Sequence, residues 1–405
     1  MKYIILVGDG MADRPMKELG GKTCLQKART HNMDRLASEG EPGKVSTIPK
    51  GFEPGSDVAN LSILGYNPSK YYSGRAPVEA EYRGIKLGPA DVAFRCNLVT
   101  LQFPGPGKRD MAVMQDYSAG HITTKEAGLL IRDINKKLGD KNINFYPGVS
   151  YRHLMVWRDG KVKIKCTPPH DITGKKVAGY LPKGDGAELL RVLMEQSTEL
   201  LLSNTVNKNR VKNGLSPANS LWFWGQGRKL SVPRFRDKYN LKGALISAVD
   251  LTKGLGICAG FDIIDVKGAT GYIDTNYIGK ANAALKALSK YDIVYLHVEA
   301  PDEAGHNGDV KTKIKAIEDF DARVVGTVLK GISKFKDYRI LLLPDHATPI
   351  KIRTHTNEPV PFVIYDSSEK RKNKGYAFNE SLLRKKNIKV FDKGYKLMDY
   401  FIGRK

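Results

Sequence analysis

The sequence predicts an α/β fold with a mostly parallel sheet and an α+β insertion in the middle of the chain. Three apolar runs each end in a polar loop that carries Asp or His: KYIILVGDG (2–10), YDIVYLHVEAPDEAGH (291–306) and YRILLLPDHATP (338–349). Helical patterns separate the later runs, and such alternation is typical of parallel sheets. The carboxyl ends of parallel strands gather functional groups, so we expect the site at that edge.

The individual elements follow from the spacing of apolar residues. The first run ends in Gly-Asp-Gly, which predicts a buried strand that opens into a loop. The segment ANAALKALSK (281–290) predicts a helix that leads into the next strand. The segment 308–332 predicts another helix, because apolar residues recur at helical spacing at Ile314, Ile317, Phe320, Val324 and Leu329.

The middle of the chain has a different pattern. Four strand-like runs, VAFRCNLVTLQF, SYRHLMVW, KVKIKCT and SLWFWGQG, are interrupted by two helical runs, LLIRDINKKL and GAELLRVLMEQSTELL. We interpret 89–231 as an α+β domain inserted into an α/β core formed by 1–88 and 232–405. Trp222 and Trp224 alternate along one strand-like run, so we expect both in the core of the insertion.

Composition favours a globular cytoplasmic protein. Hydrophobic residues make up 41% of the chain and charged residues 27%, which excludes wholesale disorder. The apolar runs are far shorter than the ~20 residues that span a bilayer, and the first run is too short for a signal peptide. The four cysteines form no close pair. We therefore expect free thiols in a reducing compartment and no membrane segment.

The net charge of +23 indicates an anionic partner, either nucleic acid or a phosphorylated metabolite. The basic residues are spread along the chain, and we find no RRM, KH, zinc-finger or helix-turn-helix signature. A protein that binds nucleic acid therefore remains the alternative of a different class. We expect instead a solvated basic surface, no specific nucleic-acid partner and a small-molecule substrate. The oligomeric state stays open.

Carboxylate and imidazole groups follow the three apolar runs. Asp302 and His306 lie four residues apart in a predicted loop, and the whole set comprises Asp9, Asp302, His306, Asp345, His346 and His355. Such mixed ligands suit Mn²⁺ or Zn²⁺ better than Ca²⁺. Taken singly, Asp9 is equally typical of a helix cap, and a lone His is more often a surface or core residue. The joint pattern at successive strand ends favours a metal site.

Ser56 follows Pro-Gly at the start of an apolar helical run, GFEPGSDVANLSILGY (51–66). The simplest interpretation of such a serine is a helix N-cap. The functional alternative is a nucleophile, because metal coordination can turn a hydroxyl into an alkoxide and a helix N-terminus favours phosphoryl charge. The residues alone leave both interpretations open.

Five motifs together carry a resemblance to a known family: GDGMADRP, PGSDVANLSILGY, HVEAPDEAGH, LLLPDHATP and THTNEPVPF. They resemble the alkaline phosphatase superfamily, and more closely the archaeal type of 2,3-bisphosphoglycerate-independent phosphoglycerate mutase. The resemblance runs from residue 3 to beyond 365. It implies an alkaline-phosphatase-like sheet with helices on both faces and an inserted lid domain.

The resemblance also implies a metal-dependent isomerase. One divalent ion is expected on Asp302, His306 and His355, and a second on Asp9, Ser56, Asp345 and His346, with Ser56 as the phosphoryl acceptor. Mn²⁺ is expected first, with Co²⁺, Zn²⁺ or Mg²⁺ as alternatives. The implied reaction interconverts 3-phosphoglycerate and 2-phosphoglycerate through a phosphoserine, in glycolysis and gluconeogenesis. The alternative is another phosphatase or phosphotransferase of the superfamily, but a hydrolase needs no lid that excludes water.

Substrate recognition requires cations and polar groups for a carboxylate and a phosphate. Lys253 is a candidate because AVDLTKGLG (248–256) resembles the stretch that carries a phosphate-binding lysine in the bacterial-type mutases. The candidates from the insertion are Arg95, Asn97, Asp116, His121, Arg152, His153 and Arg228. For each of these residues a surface salt bridge is an equal alternative.

Overall fold

The structure is a computed structural model that describes residues 1–105, 111–369 and 374–403. The chain divides into two units. The first consists of Met1–Tyr72 and Ser231–Lys405, and the second of Ser73–Leu230. Among the described residues, no helix is both long and apolar enough to cross a bilayer.

The second unit begins earlier in the chain than the sequence prediction, which placed its first residue at 89. Ala76 and Ala80 precede that position, yet they are buried in one cluster with Leu154 and Val156 of the second unit. Apolar contacts of this kind determine to which core a helix belongs. The helix that carries these alanines is therefore part of the second unit.

The β-strands of the described residues are, in chain order, β1 Lys2–Gly8, β2 Glu41–Val45, β3 Val92–Gln102, β4 Val113–Asp116, β5 Ile143–Val149, β6 Arg152–Trp157, β7 Ile164–Lys165, β8 Lys183–Gly184, β9 Ser220–Arg228, β10 Gly243–Ile246, β11 Asp262–Ile263, β12 Ile293–Val298, β13 Tyr338–Leu343, β14 Val360–Asp366 and β15 Lys389–Phe391. The run KVKIKCT, predicted as a strand, contributes only the short β7.

The α-helices of the described residues are α1 Cys24–Lys27, α2 His31–Glu39, α3 Ser56–Ile63, α4 Pro68–Tyr71, α5 Ala76–Tyr82, α6 Thr124–Leu138, α7 Ala187–Ser203, α8 Thr205–Lys212, α9 Phe235–Tyr239, α10 Asp250–Cys258, α11 Tyr277–Ala287, α12 Ala300–Asn307, α13 Val310–Asp319, α14 Gly326–Ile332 and α15 Leu397–Phe401. A turn of π-helix, Phe320–Val325, joins α13 to α14, so the helix predicted over 308–332 is nearly continuous.

An eight-stranded sheet lies at the centre of the first unit, in the order β11-β10-β12-β1-β13-β14-β2-β15. β1 lies between β12 and β13 and is parallel to both, with Val7 opposite His297 and Leu343. β14 is antiparallel to its neighbours β13 and β2, whereas the other strand pairs of this sheet are parallel. The sheet is therefore mostly parallel, as predicted. The carboxyl ends of β12, β1 and β13 therefore share one edge of the sheet.

Helices cover both faces of this sheet, as predicted. On one face, Ile4, Val294 and Ile340 are buried in one cluster with residues of α2, α11 and α13. On the other face, the Tyr295 hydroxyl hydrogen-bonds to Asn60 of α3. Successive side chains of a strand point to opposite faces of the sheet, so neighbouring residues of β12 such as Val294 and Tyr295 pack against different layers of helices.

The second unit is built on an antiparallel sheet in the order β4-β3-β6-β5, with β9 also paired to β3. α6 and α7 pack on one face in a cluster that includes Trp222 and Trp224. α5 packs on the other face, against Ala93. The second unit is therefore an α+β fold, and both tryptophans lie in its core.

Candidate metal centre

Metal-ligating residue types meet where β1, β12 and β13 end. Two groups of three residues each have ligand atoms within 4.8 Å of one another: Asp9, Asp345 and His346 form one, and Asp302, His346 and His355 the other. Asp9 directly follows β1, and Asp345 and His346 follow β13 after a single residue. Because adjacent parallel strands end at the same edge, the register of the sheet places these side chains together.

Asp302 and His306 lie on α12, whereas the sequence prediction placed them in a loop. Pro301 in the first turn suits a helix start, and Gly308 ends the helix with a positive φ of 71°. Residues four apart lie on the same face of a helix. Accordingly, His306 Nε2 lies 3.1 Å from Asp302 Oδ2.

The rings of His306 and His355 meet through their Nε2 atoms, 2.9 Å apart. Their Nδ1 atoms face backbone carbonyl oxygens, of Arg353 at 3.0 Å and of Pro54 at 3.3 Å. A carbonyl oxygen only accepts, so Nδ1 carries a proton in each ring. Burial lowers the pKa of His306, but the hydrogen bond and charge of Asp302 outweigh it and raise the pKa to about 9, so a metal would replace a second proton at Nε2 of that ring. Both Nε2 lone pairs then point at the same place beside Asp302. A cation shared by these atoms fits this arrangement.

Asp9, Asp345 and His346 are almost fully buried, at 1%, 0% and 0% exposure. Burial raises the pKa of Asp9 well above its usual range, and the charges of Asp345 and Asp302 raise it further. Burial also lowers the pKa of His346 to about 4, so its ring is neutral and suited to ligate a metal. Asp9 Oδ1 is buried without a hydrogen-bond partner. A divalent cation would compensate both the charge and the unpaired oxygen.

Ser56 is the first residue of α3, and its hydroxyl lies inside this cluster. Its Oγ is 3.0 Å from His346 Nε2. The N-cap of α3 is Gly55, which has no capping side chain, so the interpretation of Ser56 as a helix cap is wrong. The hydroxyl is free to act in the cluster because it does not satisfy the backbone of the helix.

Four buried residues that were not predicted from the sequence hold the candidate ligands in place. Asn60 Nδ2 lies 2.9 Å from Asp345 Oδ2, and His297 Nε2 lies 2.9 Å from Asp9 Oδ2. The others are Thr348, which contacts Asp302, and Tyr295, which contacts Asn60. The sequence offered two signals for them: Asn60 is a polar residue one helical turn after Ser56, and Tyr295 and His297 are polar side chains inside an apolar strand.

Three of the predicted substrate-binding residues make contacts within the second unit. Arg95 pairs with Glu79 at 2.8 Å and stacks on the Trp224 ring at 4.4 Å. Asn97 accepts a hydrogen bond of 3.0 Å from Trp224 Nε1. Asp116 accepts hydrogen bonds from Ser118 and the Gly120 amide, and these lower its pKa although partial burial opposes them.

The other predicted residues of the second unit differ in accessibility. His121, Arg152 and Arg228 are exposed. His153 is buried, and burial together with the charge of Arg83 lowers its pKa to about 3. In the ladder of β3 and β6, Arg152 lies opposite Asn97 and His153 lies opposite Cys96. Arg152 and His153 therefore face opposite sides of the sheet, and the structure does not bring them together.

Lys253 lies on α10 of the first unit, where its Nζ is 2.6 Å from Asp265 Oδ1. A second lysine nearby, Lys280, is fully buried on α11. Burial lowers the pKa of Lys280 to about 8; the charge of Glu299 opposes this change, and the charge of Lys253 adds to it. Lys280 could not be predicted as a functional residue from the sequence, because it occurs in an ordinary helical pattern.

Residues 37–207 match the model of a protein family described as 2,3-bisphosphoglycerate-independent phosphoglycerate mutase. A probable 2,3-bisphosphoglycerate-independent phosphoglycerate mutase of Geobacter sulfurreducens is 54% identical over 405 residues, which are the whole of both chains. A 2,3-bisphosphoglycerate-independent phosphoglycerate mutase of Methanothrix thermoacetophila is 55% identical over 368 residues, 91% of each chain.

Two solved structures are similar over nearly all of the chain. A protein of Pyrococcus horikoshii has a TM-score of 0.82 and 29% identity, covering 100% of this chain and 98% of its own. The cofactor-independent phosphoglycerate mutase of Thermoplasma acidophilum has a TM-score of 0.65 and 29% identity, covering 99% of each chain. With relatives of this identity and coverage, the chain belongs to the family of 2,3-bisphosphoglycerate-independent phosphoglycerate mutases and is an isomerase.

Proposed function

We propose that the protein interconverts 3-phosphoglycerate and 2-phosphoglycerate through a phosphoserine on Ser56, with two bound divalent metal ions. The observation that carries this proposal is the place of the Ser56 hydroxyl, 3.0 Å from His346 Nε2 and inside a cluster of buried ligand types. A hydroxyl used only for packing or capping has no reason to lie there. The names of the relatives support the substrate.

The residues divide into two proposed metal positions. The first position is formed by Asp302, His306 and His355, and the second by Asp9, Ser56, Asp345 and His346. His346 also lies within reach of Asp302 and His355, so the two positions are adjacent. Carboxylate and imidazole ligands suit Mn²⁺ first, and Co²⁺, Zn²⁺ or Mg²⁺ as alternatives. When bound, such ions stabilise a serine alkoxide and neutralise phosphoryl charge.

The proposed cycle has two transfers that balance each other. In the first, a bond forms between Ser56 Oγ and phosphorus, the bond from phosphorus to O3 breaks, and the serine proton ends on O3 of glycerate. In the second, phosphorus bonds to O2, the bond to Ser56 Oγ breaks, and the proton of the O2 hydroxyl passes to Ser56 Oγ. The cycle needs no co-reactant. Water must be excluded while the phosphoserine exists, because hydrolysis would end the cycle.

Substrate recognition is assigned to the cations and polar groups predicted from the sequence. The exposed Arg152, Arg228 and His121 are the first candidates, because their side chains are accessible. Arg95, Asn97, Asp116, His153 and Lys253 stay proposed ligands, although each has a contact within its own unit. A phosphate and a carboxylate are best recognised by the positive groups among these residues. The activity belongs to glycolysis and gluconeogenesis in the cytoplasm.

The test is an assay of metal-loaded protein on 3-phosphoglycerate, coupled through enolase and without added 2,3-bisphosphoglycerate. We expect turnover that EDTA abolishes and Mn²⁺ restores, and about two metal equivalents after dialysis. Asp302→Ala and Asp345→Ala should each lower the metal content, whereas Asp185→Ala at the exposed Lys161 pair should not. Release of inorganic phosphate without 2-phosphoglycerate would identify a phosphatase instead. Full activity without metal would contradict the proposal.

A further inference from the structure

β12 carries two fully buried polar side chains, Tyr295 and His297. They are two residues apart, so they point to the same face of the sheet. Neither is among the proposed metal ligands, and the reaction as proposed does not use them. Buried polar groups cost free energy unless they are hydrogen-bonded, so their partners indicate their role.

His297 connects the ligand Asp9 to the serine hydroxyl of Ser247. Its Nε2 is 2.9 Å from Asp9 Oδ2, and its Nδ1 is 3.2 Å from Ser247 Oγ. A ligating carboxylate only accepts hydrogen bonds, so Nε2 carries the proton and Nδ1 accepts from the hydroxyl. Ser247 Oγ in turn accepts from the Val249 amide at 3.0 Å, which fixes the hydroxyl.

This contact leaves one oxygen of Asp9 for a metal. His297 holds Oδ2, while Oδ1 has no hydrogen-bond partner and lies 3.5 Å from His346 Nε2. The carboxylate therefore cannot rotate without breaking the contact to His297. Its free oxygen is directed at the cluster in advance of binding.

Tyr295 acts on Asp345 through Asn60. Its hydroxyl donates to Asn60 Oδ1. The amide nitrogen of Asn60 then donates to Asp345 Oδ2 at 2.9 Å and to the Ser56 carbonyl oxygen at 2.7 Å. The tyrosine thus determines which end of the amide faces Asp345. The same contact ties the backbone of Ser56 to Asp345.

The neighbouring group of ligands is held by other residues. Asp302 accepts from the Thr348 hydroxyl, and the Nδ1 atoms of His306 and His355 face the carbonyl oxygens of Arg353 and Pro54. The two side chains of β12 therefore act on ligands of one proposed position only, His297 by direct contact with Asp9 and Tyr295 through Asn60.

We infer that His297 and Tyr295 are positioning residues for the metal position formed by Asp9, Ser56, Asp345 and His346, and not for the position formed by Asp302, His306 and His355. The inference rests on the proposed binding of two metals. Partners of this kind orient a ligand before the metal arrives, and their loss typically weakens metal binding about 10–100-fold. The effect here is expected to fall on one equivalent out of two.

The experiment is a titration of metal-free full-length protein with Mn²⁺, following free Mn²⁺ by electron paramagnetic resonance and fitting two dissociation constants. For Tyr295→Phe and His297→Leu we expect one constant to rise about 10–100-fold while the other stays within about twofold. His297→Gln should recover most of the affinity, because its amide nitrogen can donate to Asp9 as Nε2 does. Thermal unfolding of the metal-free variants separates a folding defect from a binding defect.

Tyr277→Phe is the matched control. Tyr277 is as buried as Tyr295, but its hydroxyl has no hydrogen-bond partner. Its loss should change neither constant. Two unchanged constants in Tyr295→Phe and His297→Leu, or two constants that rise equally, would overturn the inference. A wild-type protein that binds no Mn²⁺ would instead refute the proposed function, so the two failures are distinguishable. If His297→Leu does not fold, Tyr295→Phe decides alone, because it removes a single oxygen atom.

Discussion

The hydroxyl of Ser56 and the ring of His346 lie 3.0 Å apart, although 290 residues separate them in the sequence. His346 also lies 3.5 Å from carboxylate oxygens of both Asp9 and Asp345. This arrangement joins the start of α3 to the ends of β1 and β13. The proposed nucleophile and the groups that could activate it thus come together at one edge of the sheet.

Ser56→Ala should lower kcat at least ~10³-fold, equivalent to about 4 kcal/mol of barrier, because a covalent step is lost without a substitute. Stability should change by less than about 1 kcal/mol, since Gly55 and not Ser56 caps the helix. Ser62→Ala is the matched control on the same helix, because the Ser62 hydroxyl is buried without a partner. Steady-state kinetics and urea unfolding measure both quantities. A Ser56→Ala enzyme as active as Ser62→Ala would exclude Ser56 as the acceptor.

Lys313→Met should lower the free energy of unfolding by about 3–5 kcal/mol. Lys313 is fully buried and donates to Asp13 Oδ2 at 3.1 Å and to the Thr348 carbonyl oxygen at 2.7 Å, so its loss leaves a buried carboxylate unpaired. Lys315→Met, two residues on, removes an exposed lysine that pairs with Asp319 and should cost about 1 kcal/mol or less. Urea unfolding compares them. Equal losses in the two variants would contradict the assigned role.

Glu380 should make the protein less stable as the pH rises. Burial raises the pKa of Glu380 from 4.5 to about 7, despite hydrogen bonds from Thr23 and the Asp13 amide and the nearby charge of Lys313. Between these values the folded state binds more protons than the unfolded state. The contribution is therefore fully present below pH 4.5 and is lost as the pH rises through 7, by no more than about 3 kcal/mol.

Glu380→Gln isolates this contribution. Glutamine can accept from the Asp13 amide and donate to the Thr23 hydroxyl, but it does not titrate. Its free energy of unfolding should therefore lose less than that of the wild type between pH 5 and pH 8, as urea unfolding at a series of pH values would measure. Parallel curves for the two proteins would show that Glu380 titrates normally.

Arg152→Met should raise KM for 3-phosphoglycerate by about tenfold or more, because the proposed charged hydrogen bond to substrate would be lost. Arg152 is exposed, so stability should change by no more than about 0.5 kcal/mol. Arg95→Met is the comparison. It leaves the largely buried Glu79 without its ion-pair partner, so it should lower the free energy of unfolding more than Arg152→Met does. An unchanged KM in Arg152→Met would remove this residue from the substrate site.

The positions of Asp9, Asp345 and His346 could be predicted from the sequence, because parallel strands end at a common edge and each strand was visible as an apolar run. The contact between His297 and Asp9 could not. It depends on the register that places Val7 opposite His297, and an apolar run does not specify which strands become neighbours or in which register.

The cap of α3 and the first residue of the second unit also could not be determined from the sequence, for physical reasons. Serine and glycine are both acceptable caps, and the structure places Gly55 at the cap and the Ser56 hydroxyl beside His346. The alanines of α5 carry no signal of their own, since small apolar residues can pack against either core. Their burial against Leu154 and Val156 assigns the helix to the second unit.

The most direct test of the central claim is to trap the phosphorylated enzyme. Wild-type protein is mixed with 3-phosphoglycerate labelled with ³²P, quenched in acid during turnover and digested, and the labelled peptide is sequenced by mass spectrometry. We predict a phosphopeptide that contains Ser56, with the phosphoryl group on that residue and none in Ser56→Ala. Label on another side chain, or an enzyme that turns over without any covalent label, would contradict the proposed phosphoserine.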